Sequence, residues 1–125
     1  MKRTPFVNNK IYHIYNRGVD KRKIFLDEKD YFRFLHNLFE FNDTSPAINL
    51  YYKEAIFNQP QSYEVRLRKI GKNRKPRKLL VNVLAFCLMP NHYHLLLEQL
   101  RTDGITEFMR KLGTGYTNYL NWRYK

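Results

Sequence analysis

Between Leu79 and Leu97 the chain runs through two apolar segments separated only by Met89-Pro90-Asn91. The first segment, Leu79 to Leu88, is nearly all apolar. Its length and its valines predict a strand buried on both faces, and therefore a central one. A connection as short as Met89-Pro90-Asn91 brings the chain back alongside itself, which makes an antiparallel pair. The returning segment reads His92-Tyr93-His94-Leu95-Leu96-Leu97. Side chains alternate along a strand, so His92 and His94 point the same way, roughly 6–7 Å apart. Tyr93, Leu95 and Leu97 point the other way, toward a core. Two imidazoles on one face can converge on a divalent ion. The plainer alternative is a pair of partly exposed or internally satisfied polar residues.

The rest of the chain supplies a layer for that apolar back. Lys10 to Asn16 is rich in β-branched and aromatic residues and reads as the first strand. Ile11, His13 and Tyr15 share one face, with Tyr12, Ile14 and Asn16 on the other. His13 joins the histidine pair if the two strands are neighbours; it is read here as structural and left outside the metal set. Asn16-Arg17-Gly18 closes the strand, with Gly18 free to take positive φ. The basic loop Val19 to Lys23, like Arg17, suits phosphate contacts through Lys21 and Arg22. Asp27 caps a helix, with Asp30 completing a box-like arrangement. Tyr31, Phe34, Leu35, Leu38 and Phe39 form its core stripe. Phe32 and Phe41 add aromatic surface beside that stripe, and Asn42 to Pro46 are turn formers.

Leu50-Tyr51-Tyr52 and Tyr63-Glu64-Val65 read as short strands or loop anchors. From Arg66 to Lys78, eight of thirteen residues are basic and none is acidic: Arg66, Arg68, Lys69, Lys72, Arg74, Lys75, Arg77 and Lys78. Such a segment is expected to order on an anion. Thr102 or Asp103 caps a last helix, whose buried stripe is Ile105, Phe108, Met109, Leu112, Tyr116 and Leu120. Gly113 and Gly115 cost it about 1 kcal/mol each relative to Ala, and allow a bend or a close approach. The expected architecture is one α+β domain over 1–125, an antiparallel sheet with helices on one face and a basic insertion at 47–78.

Charge narrows the partner. With 23 Lys and Arg against 11 Asp and Glu, the net charge is +12, and such an excess repels itself unless a polyanion neutralises it. Ten Tyr and nine Phe favour nucleic acid over an anionic membrane surface, because unpaired bases stack on aromatic rings. No apolar run approaches the length of a membrane span, and no apolar stretch follows the basic N-terminus. The single cysteine, Cys87, sits in an apolar run and reads as a small buried hydrophobe in a reducing cytosol. No CxxC pair or HExxH is present, which argues against a zinc finger or a zincin. A basic chain with a His-x-His pair suggests metal-assisted phosphodiester chemistry. Its nucleophile is then water or a tyrosine. Tyr116 and Tyr119 are the in-chain tyrosine candidates; packing is the competing role for each.

Several of these pieces resemble the single-tyrosine HUH transposases, in particular the REP-associated tyrosine transposases and their insertion-sequence relatives. They are Tyr12-His13-Ile14-Tyr15-Asn16-Arg17-Gly18, Lys23-Ile24-Phe25, Ala85 through Leu97, and Met109-Arg110-Lys111-Leu112 with Tyr116 and Asn121. The resemblance implies a ferredoxin-like or RNA-recognition-like sheet. It implies His92 and His94 as ligands of Mg²⁺ or Mn²⁺, and single-stranded or hairpin DNA as substrate. It also implies strand cleavage and rejoining through a 5′-phosphotyrosine, a cytoplasmic, nucleoid-associated location and a homodimer. In similar proteins a further helix carries the catalytic tyrosine and, four residues later, an Asn or Gln that completes the metal site. By motif order Tyr116 and Tyr119 match the helix before it. The expectation is a C-terminally truncated relative, inactive alone. The alternatives are a non-catalytic single-stranded nucleic-acid-binding module and a nuclease that uses water.

Overall fold

A computed structural model of the chain describes residues 4–45 and 76–124. The elements are β1 (Ile11–Arg17), α1 (Glu28–Glu40), β2 (Val81–Met89), β3 (His92–Gln99) and α2 (Gly104–Arg123), with a short 3-10 turn at Val19–Lys21. The strands form one antiparallel sheet in the order β1-β3-β2. Both helices pack on its back face, the expected α+β layout. The possible strands at Leu50–Tyr52 and Tyr63–Val65 lie outside the described residues.

The alternation along β3 sorts the two sides. Tyr93, Leu95 and Leu97 are 3%, 0% and 0% exposed, whereas Leu96 between them is 37% exposed. The buried residues meet Phe34 and Leu38 of α1 and Ile105, Phe108, Leu112 and Tyr116 of α2. Burying each such side chain stabilises the fold by roughly 1.5–3 kcal/mol. Phe25, ahead of α1, completes an aromatic cluster with Tyr31, Phe34 and Tyr116.

The apolar run at 79–88 does not form the central strand. Among the described residues β2 is an edge, and β3 is central because β1 pairs with its other side. The β2–β3 register shifts between Val83 and Ala85, so Leu84 is an extra residue and the inward–outward order changes there. Leu84 and Phe86 are about half exposed, and Cys87 is exposed rather than buried. The composition of the run marked it as a strand, but its rank in the sheet depends on β1, far away in sequence.

In α1, Asp27 is the N-cap and accepts from the Asp30 N–H at 3.3 Å. The Asp30 carboxylate does not return that bond; it accepts from the Leu26 N–H at 2.9 Å and turns into the core. There it takes hydrogen bonds from the Tyr119 hydroxyl at 2.7 Å, the Tyr124 hydroxyl at 2.5 Å and Arg123 Nη1 at 2.7 Å. Phe39 leaves the predicted stripe and is 53% exposed. Its ring is covered by the Arg77 guanidinium at 3.8 Å.

Asn42 is more than a turn former. Its Oδ1 accepts from the Leu80 and Val81 N–H groups, both at 3.0 Å, and its Nδ2 donates to the Val81 carbonyl at 2.9 Å. Asp103 is the N-cap of α2, but it has φ 61° and makes no side-chain cap bond. Gln99 supplies it instead, its Oε1 accepting from the Ile105 N–H at 3.1 Å. The helix continues unbroken through Gly113, and at Gly115 a Cβ would overlap the Phe41 ring, so the close approach is the real constraint. No helix among the described residues is long and apolar enough to cross a membrane.

Candidate functional site

The front face of the sheet carries the histidines, and cross-strand pairing fixes their neighbours. On β1, Arg17 lies opposite His92 and Tyr15 opposite His94. On β2, Met89 lies opposite His92 and Cys87 opposite His94. Residues opposite one another in a ladder share a face. Tyr15, Met89 and Cys87 are all exposed there.

The His92 and His94 rings are 5.2 Å apart and nearly perpendicular. His92 Nδ1 lies 2.7 Å from Asn91 Oδ1. An amide oxygen only accepts, so His92 holds its proton on Nδ1 and its Nε2 lone pair is open. The Asn91 amide is oriented by its own Nδ2, which donates to the Lys21 carbonyl at 3.3 Å. His94 Nδ1 lies 2.8 Å from Nε2 of His13 on β1. The Tyr15 ring stands 5.6 Å from His92 and 5.1 Å from His94. Both neighbours were visible in the sequence. A strand histidine is more often structural, which keeps His13 out of the metal set on sequence alone; the pairing of β1 with β3 brings it to His94, and Tyr15 is legible only as a strand aromatic.

The basic loop is fastened to the turn that precedes His92. Gly18 N–H donates to the Asn91 carbonyl at 2.9 Å, and the Ile24 and Phe25 N–H groups donate to the Pro90 carbonyl at 2.8 and 3.1 Å. Gly18 has φ −61°, so positive φ is not why it is glycine. A Cβ there would overlap the Arg22 carbonyl oxygen and stand 3.0 Å from Ile24 Cγ2. Asp20 and Lys21 instead take the left-handed conformation, at φ 54° and 59°, a strain of order 1 kcal/mol each. Arg17, Lys21 and Arg22 are exposed, on the strand end and loop that flank the histidines.

The other predicted cations divide. Arg77 donates to the Phe39 and Asn42 carbonyls, the latter at 2.9 Å, and so closes the end of α1. Lys78 is exposed, with its backbone N–H on Asp43. Arg66, Arg68, Lys69, Lys72, Arg74 and Lys75 lie outside the described residues.

Both candidate tyrosines are buried on the helix side, across the sheet from the imidazoles. The Tyr116 hydroxyl donates to the Ile24 carbonyl at 2.6 Å, and burial, with the Asp30 charge, holds its pKa far above the tyrosine range. Tyr119 donates to Asp30, and burial raises its pKa too.

As a metal centre, the front face fits two corners. The donors are imidazole nitrogens of a kind that binds divalent ions. Among the described residues, no group of three or more His, Cys, Asp or Glu is placed to hold a metal ion.

Comparison with known proteins bears on this face. A family profile described as "Transposase IS200 like" matches residues 47–125, which include β2, β3 and α2. The match takes in the basic stretch and both histidines and leaves β1 outside it. No curated protein and no solved structure matches the chain. With well over half its residues in the match, the chain belongs to the IS200-like transposase family, whose partner is DNA.

Proposed function

We propose that the front face of the sheet is the DNA-cleaving surface of this transposase, with His92 and His94 as two ligands of Mg²⁺ or Mn²⁺. The observation that carries this reading is the state of the two rings. Each has its Nδ1 engaged by a neighbouring side chain, and the two stand 5.2 Å apart on an open face. When bound, such an ion polarises a phosphate and stabilises the leaving oxygen.

The chain's own residues do the rest of the positioning. Arg17, Lys21 and Arg22 take phosphates beside the pair. Tyr15 offers a ring face to an unpaired base, which suits single-stranded or hairpin DNA. The eight positive charges from Arg66 to Lys78 add attraction that does not depend on DNA sequence. In cleavage of the family's kind, a tyrosine Oη–P bond forms as the P–O3′ bond breaks and the 3′-hydroxyl leaves. Tyr116 and Tyr119 belong to the core in this reading, and the nucleophile is neither of them.

Mn²⁺ titration followed by calorimetry tests the site. His92→Ala combined with His94→Ala should abolish Mn²⁺ binding and leave the thermal midpoint within about 2 °C of wild type, because both residues are on the open face. Equal Mn²⁺ affinity in the double variant would refute the assignment. The cations are tested separately. Arg17→Ala, Lys21→Ala and Arg22→Ala together should flatten the plot of log affinity for single-stranded DNA against log salt by about 2, at roughly 0.7 per lost phosphate contact. An unchanged slope would remove them from the DNA path.

A second reading is a non-catalytic single-stranded nucleic-acid-binding module. It is favoured by the net charge of +12 and by the exposed Tyr15 ring on the sheet face, which suit an unpaired strand without any metal. It requires DNA binding without any Mn²⁺ binding.

A further inference from the structure

A third histidine decides whether His94 has a nitrogen to offer. The contact between His13 Nε2 and His94 Nδ1 is 2.8 Å, and between two neutral imidazoles it holds one shared proton. If His13 donates, His94 spends its Nδ1 lone pair on that bond and carries its own proton on Nε2. No nitrogen of His94 then remains for a ligand. If His94 donates, its Nε2 lone pair is open, which is the state Asn91 imposes on His92.

From this we propose that His13 is a positioning residue for His94. It acts as a hydrogen-bond acceptor from β1 that keeps His94 in the Nδ1–H form and turns its Nε2 to the front face. The inference rests on the reading of His92 and His94 as metal ligands. Partners of this kind commonly orient ligating histidines and fix their tautomer.

The placement follows from the sheet. His13 lies opposite Leu96, two residues along β3 from His94 on the same face. That is a diagonal cross-strand position within reach of a long or aromatic side chain. The two rings are 5.0 Å apart and only 11° from parallel. His13 is not placed as a third ligand, because its Nε2 is already taken by His94. A histidine side chain in water favours the proton on Nε2, so without His13 the open lone pair of His94 lies mostly on Nδ1, the nitrogen turned toward β1. The two histidines thus receive the same treatment from different sources. His92 is held from the adjacent turn, and His94 from the neighbouring strand.

The test uses the full chain and two readouts. Long-range ¹H–¹⁵N NMR of the metal-free protein reports which ring nitrogen of His94 carries the proton. Calorimetry reports Mn²⁺ affinity. Wild type should show His94 in the Nδ1–H form. His13→Ala should move His94 toward the Nε2–H form and weaken Mn²⁺ binding by about 10- to 100-fold. His13→Gln, whose amide oxygen can accept, should recover most of that loss. His13 is exposed, so both variants should fold as wild type does.

An Nε2–H form of His94 in wild type overturns the proposal, as does unchanged Mn²⁺ affinity in His13→Ala or a failure of His13→Gln to recover it. Absence of Mn²⁺ binding in wild type is a different failure. It removes the metal reading itself, and with it the purpose assigned to His13, even where NMR shows the Nδ1–H form.

Discussion

Asp30→Ala should destabilise the protein by about 3 kcal/mol, the scale expected when one partner of a buried, hydrogen-bonded ion pair is removed. The Asp30 side chain is 0% exposed, and it joins the first turn of α1 to the last turn of α2. Its loss strands the Leu26 N–H and the Tyr119 and Tyr124 hydroxyls, while both arms of Arg123 keep Asp27, at 2.7 and 2.6 Å. Urea unfolding monitored by circular dichroism measures the effect, and a change below 1 kcal/mol would show that the network adds little.

The pH dependence follows from the same site. Burial by itself would raise the Asp30 carboxyl. Hydrogen bonds from Tyr124, the Leu26 N–H, Tyr119 and Arg123 outweigh it and hold the pKa below the ordinary value of 3.8. Asp27 is lowered as well, chiefly by its hydrogen bond from Arg123. A folded pKa below the unfolded one gives stability that is fully present above the unfolded value and lost as pH falls through the folded value. Wild type should therefore lose this contribution below about pH 4, and the gap between wild type and Asp30→Ala should narrow there. A gap that widened on acidification would contradict the lowered pKa.

Asn42→Ala should cost about as much, roughly 3 kcal/mol, by a different route. The side chain closes three hydrogen bonds to the backbone of Leu80 and Val81, and both of those residues are buried. Truncation leaves two N–H groups and one carbonyl without this partner, at about 1 kcal/mol or more each. Asn42→Asp keeps the acceptor and loses only the donor, so it should fall between wild type and Asn42→Ala at neutral pH. Hydrogen exchange adds a local readout. The Leu80 and Val81 amides should exchange faster in Asn42→Ala than in wild type, while amides in the middle of α2 change only with global stability. Equal protection of Leu80 and Val81 in both proteins would show that the anchor is dispensable.

Asp30 and Asn42 also mark the limit of what the sequence discloses. Asp27 was legible as a cap because its partner is three residues away, and the stripes of α2 and the alternation of β3 were legible because periodicity is local. Asp30 read as a helper at the same cap. Its partners Tyr119, Arg123 and Tyr124 lie about ninety residues on, and nothing in the spacing announces them. Asn42 read as a turn former for a related reason, since its partners start β2 on the far side of the basic stretch. The edge position of β2 and the contact of His13 with His94 both follow from the pairing of β1 with β3, which no local pattern encodes. His92 and His94 were singled out from the strand pattern, which also put them on the side away from the core. Their Nδ1 partners were not.

The one-residue alternation of β3 also separates two kinds of evolutionary change. Positions 93, 95 and 97 answer to the fold, while 92, 94 and 96 answer to whatever meets the front face. If the front face is the DNA-cleaving surface proposed above, a lineage can sample new DNA targets through Leu96, Tyr15 and Met89 without re-solving how the chain folds. A saturation library scored in parallel for abundance and for DNA binding should show the two scores trading places at each step along the strand. Abundance should be sensitive at the odd positions and binding at the even ones.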